Sequence, residues 1–157
     1  MKCKLNIKEF VHIVHAAAIF ANANKPLDRF ALVRVFADKL VVITKAKDLL
    51  FKAEMDILEC YEEGYVVTVP MDLFKAAKSM LDTGNVILNT SELKYLKIHN
   101  EENEYIQVVL QHPDIDFEIP HTETVEEVSI NSQVFKNGLK DTLDAVAIET
   151  SKPEYEH

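Results

Sequence analysis

The chain has 157 residues, 48% of them hydrophobic, with 3 glycines, 5 prolines and 2 cysteines. That is one ordinary domain or a little more, rich enough in apolar side chains for a packed core, and it excludes global disorder, collagen-like repeats and a disulfide scaffold. The net charge of −9, from 17 basic and 26 acidic residues, would oppose tight phosphate binding if it were spread evenly.

Residues 1–6 alternate, with Cys3 and Leu5 on one side and Lys2, Lys4 and Asn6 on the other. This pattern predicts a half-buried strand, and its charges are not those of a signal peptide. Over 8–21 the period becomes helical: Phe10, Ile13, Val14, Ala17, Phe20 and Ala21 share one face, and Lys8, His12 and His15 the opposite one. Asn22, Asn24 and Pro26 break it. Three strand-like runs follow at 30–37, 39–44 and 49–58, rich in Val, Ile, Leu and Phe. Another strand is expected at 65–69. Pro70 then opens a second helix over 70–81, a favoured place for proline. Leu73, Phe74, Ala76, Ala77 and Met80 form its apolar face, and Asp72, Lys75, Lys78 and Ser79 lie on the other. Strands are expected at 86–89, 93–99 and 104–111, the last two joined by a polar hairpin loop.

The order strand–helix–three strands therefore occurs twice, so the main feature is an internal βαβββ repeat. Residues 112–126 lack periodicity and carry Pro113, Pro120 and several acids, which reads as a linker. The pattern then restarts. A strand is expected at 128–130 and a helix at 132–147, with Phe135, Leu139, Leu143 and Val146 on one face and Asn131 or Ser132 as its cap. Lys152-Pro153 echoes Lys25-Pro26.

Charge is uneven along the chain. Residues 1–82 hold 12 basic and 11 acidic side chains, whereas 83–126 hold 2 and 9. The first half is nearly neutral and the acid sits in the middle. No apolar run approaches the ~20 residues of a membrane span. Catalytic signatures are missing: there is no glycine-rich phosphate loop, Gly-x-Ser-x-Gly elbow or His-Glu-x-x-His. His12 and His15 are spaced for a metal but have no third ligand nearby. Cys3, on the inward side of a strand, reads as a small hydrophobe. Cys60 lies beside Glu62 and Glu63, whose charge works against an activated thiolate. Both cysteines read as reduced thiols of a cytoplasmic protein, and the chain reads as a non-enzyme without cofactor. The rival from another class is an enzyme using Cys60 and nearby acids.

Several segments, in order, resemble bacterial DNA sliding clamps, the beta subunit of the replicative DNA polymerase III. The opening strand and helix are similar to the clamp's start. Leu40-Val41-Val42-Ile43-Thr44-Lys45-Ala46-Lys47-Asp48-Leu49 resembles the clamp strand that ends in an Ala-Thr-Asp-Leu corner, with Lys47 where Thr is usual. Val67-Thr68-Val69-Pro70 with Leu73-Phe74 is similar to the strand–proline–helix of the second repeat. Asp116-Phe117 with Pro120 looks like the Asp-Phe-Pro segment closing the first domain. Ala145-Val146-Ala147 with Lys152-Pro153 resembles a stretch of the second domain.

The resemblance implies an α+β DNA-clamp fold, with two βαβββ repeats and both helices on one face of curved antiparallel sheets. It implies a first clamp domain at 1–120, a linker at 121–126, and the opening strand and helix of a truncated second domain at 127–157, hence a fragment or a truncated form. The implied function is part of a sliding clamp that encircles duplex DNA and tethers the replicative polymerase. The alternative is a truncated clamp-like protein-interaction module that does not encircle DNA. Implied partners are duplex DNA, bound weakly and without sequence preference, the polymerase, the clamp loader and a second copy of the chain, with no membrane. Implied DNA-facing residues are Lys8, His12, His15, Lys25, Lys75 and Lys78. The implied subunit-interface strand is 104–111, through Tyr105, Ile106 and Val108.

Overall fold

At Asn6 the chain turns from strand to helix. In β1 (Lys2–Asn6) the alternation buries Cys3 and Leu5 and leaves their neighbours half-exposed. The Asn6 side-chain oxygen then accepts hydrogen bonds from the N–H groups of Lys8 and Glu9, at 3.0 and 3.3 Å. That satisfies two of the four N–H groups a helix start leaves free. Helix α1 (Ile7–Phe20) follows and buries Ile7, Phe10, Val14, Ala17 and Ala18 at helical spacing. The computed structural model describes residues 1–21, 30–46, 49–81, 84–92, 94–102, 104–110 and 129–145.

The remaining elements of the first unit are β2 (Ala31–Val35), β3 (Lys39–Ala46), β4 (Leu49–Asp56), β5 (Glu59–Glu62), β6 (Gly64–Thr68), α2 (Pro70–Ser79), β7 (Asn85–Glu92), β8 (Tyr95–His99) and β9 (Tyr105–Val109). Among the described residues every strand pairing is antiparallel. One sheet runs β5-β1-β7-β8-β9 and the other β4-β3-β2-β6. Each repeat thus lends its opening strand to the other repeat's meander. β1 joins β7, with Leu5 opposite Val86, and β6 joins β2, with Val66 opposite Val33. Neither repeat closes its sheet alone, so the two fold as one body. A single core results, drawing Leu5 and Phe10 from the first repeat and Leu73, Leu88, Leu96 and Ile98 from the second.

The helices pack side by side. α1 also packs on β3 and β4, and α2 on β9. Pro70 occupies the first turn of α2, where a missing N–H costs nothing. Gly64 opens β6 at φ +152°, and a Cβ there would sit 3.3 Å from the Met1 Cβ. Glycine lets β6 pass this close to the buried chain start.

Two compact units divide the chain, Met1–Glu118 and Ile119–His157. In the second, α3 (Ser132–Ala145) is capped by Asn131, whose side-chain oxygen accepts from the N–H groups of Gln133 and Val134. Its apolar stripe, with Phe135 and Leu139, is exposed. The strand expected at 128–130 does not form at Ser129 or Ile130, which have no partner strand among the described residues of that unit. The expected linker at 121–126 lies outside the described residues.

One strand, β5, is not predicted by the sequence pattern. Its residues Glu59-Cys60-Tyr61-Glu62 are mostly exposed and carry no apolar alternation. It exists because β1 offers it a backbone edge.

Candidate nucleic-acid interface

Helical spacing sets the exposed surface of α1. Lys8, His12, His15 and Ile19 recur at four, three and four residues and are all exposed. On α2 the exposed residues are Met71, Asp72, Lys75, Lys78 and Ser79, while Leu73, Ala76 and Ala77 face inward. Burying Phe10, Val14, Leu73 and Ala77 in one core turns the polar sides of both helices outward.

Phe74 sits at the seam. The His15 ring stacks on it with centroids 4.5 Å apart and planes 18° from parallel. The Lys78 ammonium lies over the same ring, 5.7 Å from its centre. The structure therefore brings together His15 and Lys78, 63 positions apart in the sequence, through an aromatic ring assigned to the apolar face of α2. Phe74 is half-buried. It serves both the packing and the surface.

Lys8 and His12 stand on the same exposed stripe, nearer the start of α1. With Glu9, Ile13, Lys39 and Met55 they border a groove of about 590 Å³ that Glu54 and Asp56 also line. The strand residues were not legible as part of this surface, because only the β3–β4 register, with Lys39 opposite Asp56, brings them there. Glu54 is clasped by two lysines, with Lys52 at 2.6 Å and Lys39 at 3.0 Å. These hydrogen bonds, from Lys52 first and then Lys39, hold its carboxyl below the usual range, and Glu54 in turn pushes the Lys39 ammonium up. Glu54 is thus answered by its own strands, and Lys8 lines the groove together with Glu9 and Asp56.

Lys25 lies outside the described residues, so the structure places five of the six expected DNA-facing residues. All five are exposed on the two adjacent helices. Among the described residues, no group of three or more His, Cys, Asp or Glu side chains could hold a metal ion, and no helix is long and apolar enough to cross a membrane.

The expected interface strand is β9, the edge of its sheet among the described residues. Its side chains divide by parity. Tyr105 and Val109 are 56% and 58% exposed, and Gln107 is exposed with them. Ile106 is half-buried against the core. Val108, at 4% exposure, belongs to the core. Tyr105 is flanked by His99, ring centroids 5.6 Å apart, and by Lys97.

No protein-family model and no curated protein matches this sequence. Solved structures do. A Caulobacter crescentus pol III beta superposes with a TM-score of 0.77 at 13% identity, covering 96% of this chain and 40% of that one. A Helicobacter pylori beta clamp in complex with 3,4-difluorobenzamide gives 0.76 at 16% identity, covering 98% and 42%. The H. pylori beta clamp bound to a DNA ligase peptide gives 0.74 at 15%, covering 97% and 42%. The chain spans less than half the length of these proteins.

Proposed function

We propose that this chain, which has the fold of the bacterial beta clamps, is part of a sliding clamp: a non-enzymatic ring component that holds replication proteins on duplex DNA. The observation that carries this reading is the pair of adjacent helices α1 and α2, on which Lys8, His12, His15, Lys75 and Lys78 are all exposed. Such a surface suits loose, sequence-independent contact with phosphates, because scattered lysines attract a backbone without choosing a site. Glu9 and Asp72 stand among these cations and keep the attraction weak. An acidic chain with a mildly cationic helix face stays on DNA by topology and remains mobile. Polymerase and clamp loader enter as partners by the same analogy with whole clamps.

Assembly is part of this reading, and β9 is suited to it. The Asn100 N–H donates to the Glu104 carbonyl and the Leu110 N–H to that of Lys94. In an antiparallel ladder such pairs alternate. Ile106 and Val108 therefore also spend their backbone groups on β8, while Tyr105, Gln107 and Val109 aim theirs outward. A second copy pairing antiparallel about Gln107 would satisfy all of those groups and set Tyr105 beside the other copy's Val109, a favourable aromatic–β-branched pair.

Retention on circular DNA tests the function. Material assembled on nicked plasmid should survive a salt wash and be lost when the plasmid is linearised. Equal retention on circular and linear DNA would reject encirclement and favour a clamp-like interaction module.

A further inference from the structure

We propose that Cys3 and Cys60 form a paired dithiol that closes into a disulfide between β1 and β5 when the folded chain meets a small-molecule disulfide. The two residues are 57 positions apart, yet they are direct partners in the β1–β5 register. Directly opposed residues of antiparallel strands have Cα atoms about 4.5–5.5 Å apart, inside the roughly 4.4–6.8 Å that a disulfide spans. Opposed side chains also leave the sheet on the same face. Here that face is the core: Cys3 is fully buried within it, and the half-buried Cys60 packs against it. Both thiols are free. Among the described residues β5 is an edge strand, paired on one side only, and a bulge between Lys2 and Cys3 interrupts the ladder next to the pair. That leaves β5 the freedom to settle the fraction of an ångström a disulfide dihedral needs.

Exposure sets the order of events. Cys60 is the accessible thiol. Its thiolate attacks a sulfur of glutathione disulfide, forming a mixed disulfide and releasing one glutathione thiolate. Cys3 then gives its proton to solvent base and attacks the Cys60 sulfur. The Cys3–Cys60 bond forms and the second glutathione leaves as thiolate. Two protein thiols are oxidised and one glutathione disulfide is reduced to two thiols. The second step is slow near neutrality, because burial pushes the Cys3 thiol up, to about 12 in the free dithiol, where Cys60 adds to the rise and the chain's amino terminus opposes it. The product staples the edge strand β5 to its neighbour β1.

This inference does not depend on the clamp reading, and its test involves no DNA. The folded chain is equilibrated in glutathione buffers of increasing oxidised fraction, quenched in acid, alkylated in denaturant and weighed intact. The expected product is a monomer two hydrogens lighter with no alkylatable thiol and an unchanged circular dichroism spectrum. Conversion of the Cys60 adduct should speed up about tenfold per pH unit, following the Cys3 thiolate fraction. Cys3→Ser should stop at the Cys60 adduct, and Cys60→Ser should leave Cys3 unmodified. A wild-type chain that stops at the same adduct as Cys3→Ser, or links only between molecules, overturns the proposal.

Discussion

His15 of α1 lies flat on Phe74 of α2, with ring centroids 4.5 Å apart. A stacked pair of this kind contributes about 0.5–1.5 kcal/mol beyond its buried area. It joins the two repeats at the seam between α1 and α2. Phe74→Leu keeps apolar bulk and removes the ring, so it should lower unfolding stability by about that amount in urea titration. It should also release Lys78 from its seat over the ring. Unchanged stability would mean that the seam is held by Leu73, Ala76 and Ala77 alone.

Phe10 tests the shared core. It is fully buried, with Leu73 from the second repeat and Leu40 from the first in the same cluster. Phe10→Ala should cost about 3–5 kcal/mol. Because each sheet contains a strand of the other repeat, the loss should appear as one cooperative transition of residues 1–118 by hydrogen exchange. Separate melting of two halves would contradict the exchanged-strand architecture.

Much of this was legible in the sequence. Alternation at Cys3 and Leu5, helical spacing at Phe10, Val14 and Ala17, and Pro70 at a helix start reveal the element order and the repeat, because local periodicity follows directly from burial on one face. What escaped depends on distant pairing. β5 has no apolar signal and is a strand only because β1 has an open edge. The exchange of β1 and β6 between sheets is invisible to local pattern. At the candidate interface, the polar stripes of α1 and α2 could be read from spacing, whereas Phe74 looked only apolar and Glu54 had no visible link to α1. Val108 belongs to an apolar run from Tyr105 to Leu110 that suggests one continuous interface strand, although strand parity sends 106 and 108 inward.

Self-association should follow β9. Sedimentation over a wide concentration range should show a weak monomer–dimer equilibrium. Gln107→Pro, which removes an outward N–H and leaves the bonds to β8 intact, should shift it to monomer. Ile106→Lys should do the same while also costing stability, since Ile106 packs on the core. A strict monomer at high concentration would mean that the edge is covered within the chain's own fold.

The lysines should act through salt. Neutralising Lys8, Lys25, Lys75 and Lys78 together in ring-assembled material should weaken duplex association for any sequence. It should also reduce the dependence of log K on log salt by about 0.9 for each phosphate that a lysine no longer neutralises. An unchanged slope would make these side chains solvated surface and nothing more.

Titration of a short DNA duplex into the isotope-labelled chain at low salt, followed by backbone amide shifts, locates the contact itself. The largest changes should fall on α1 and α2 around Lys8, His12, His15, Lys75 and Lys78, should be the same for unrelated duplex sequences, and should fade as salt is added. Changes confined to the strands of the two sheets, or none at millimolar DNA, would contradict the assignment of the two-helix surface to duplex DNA.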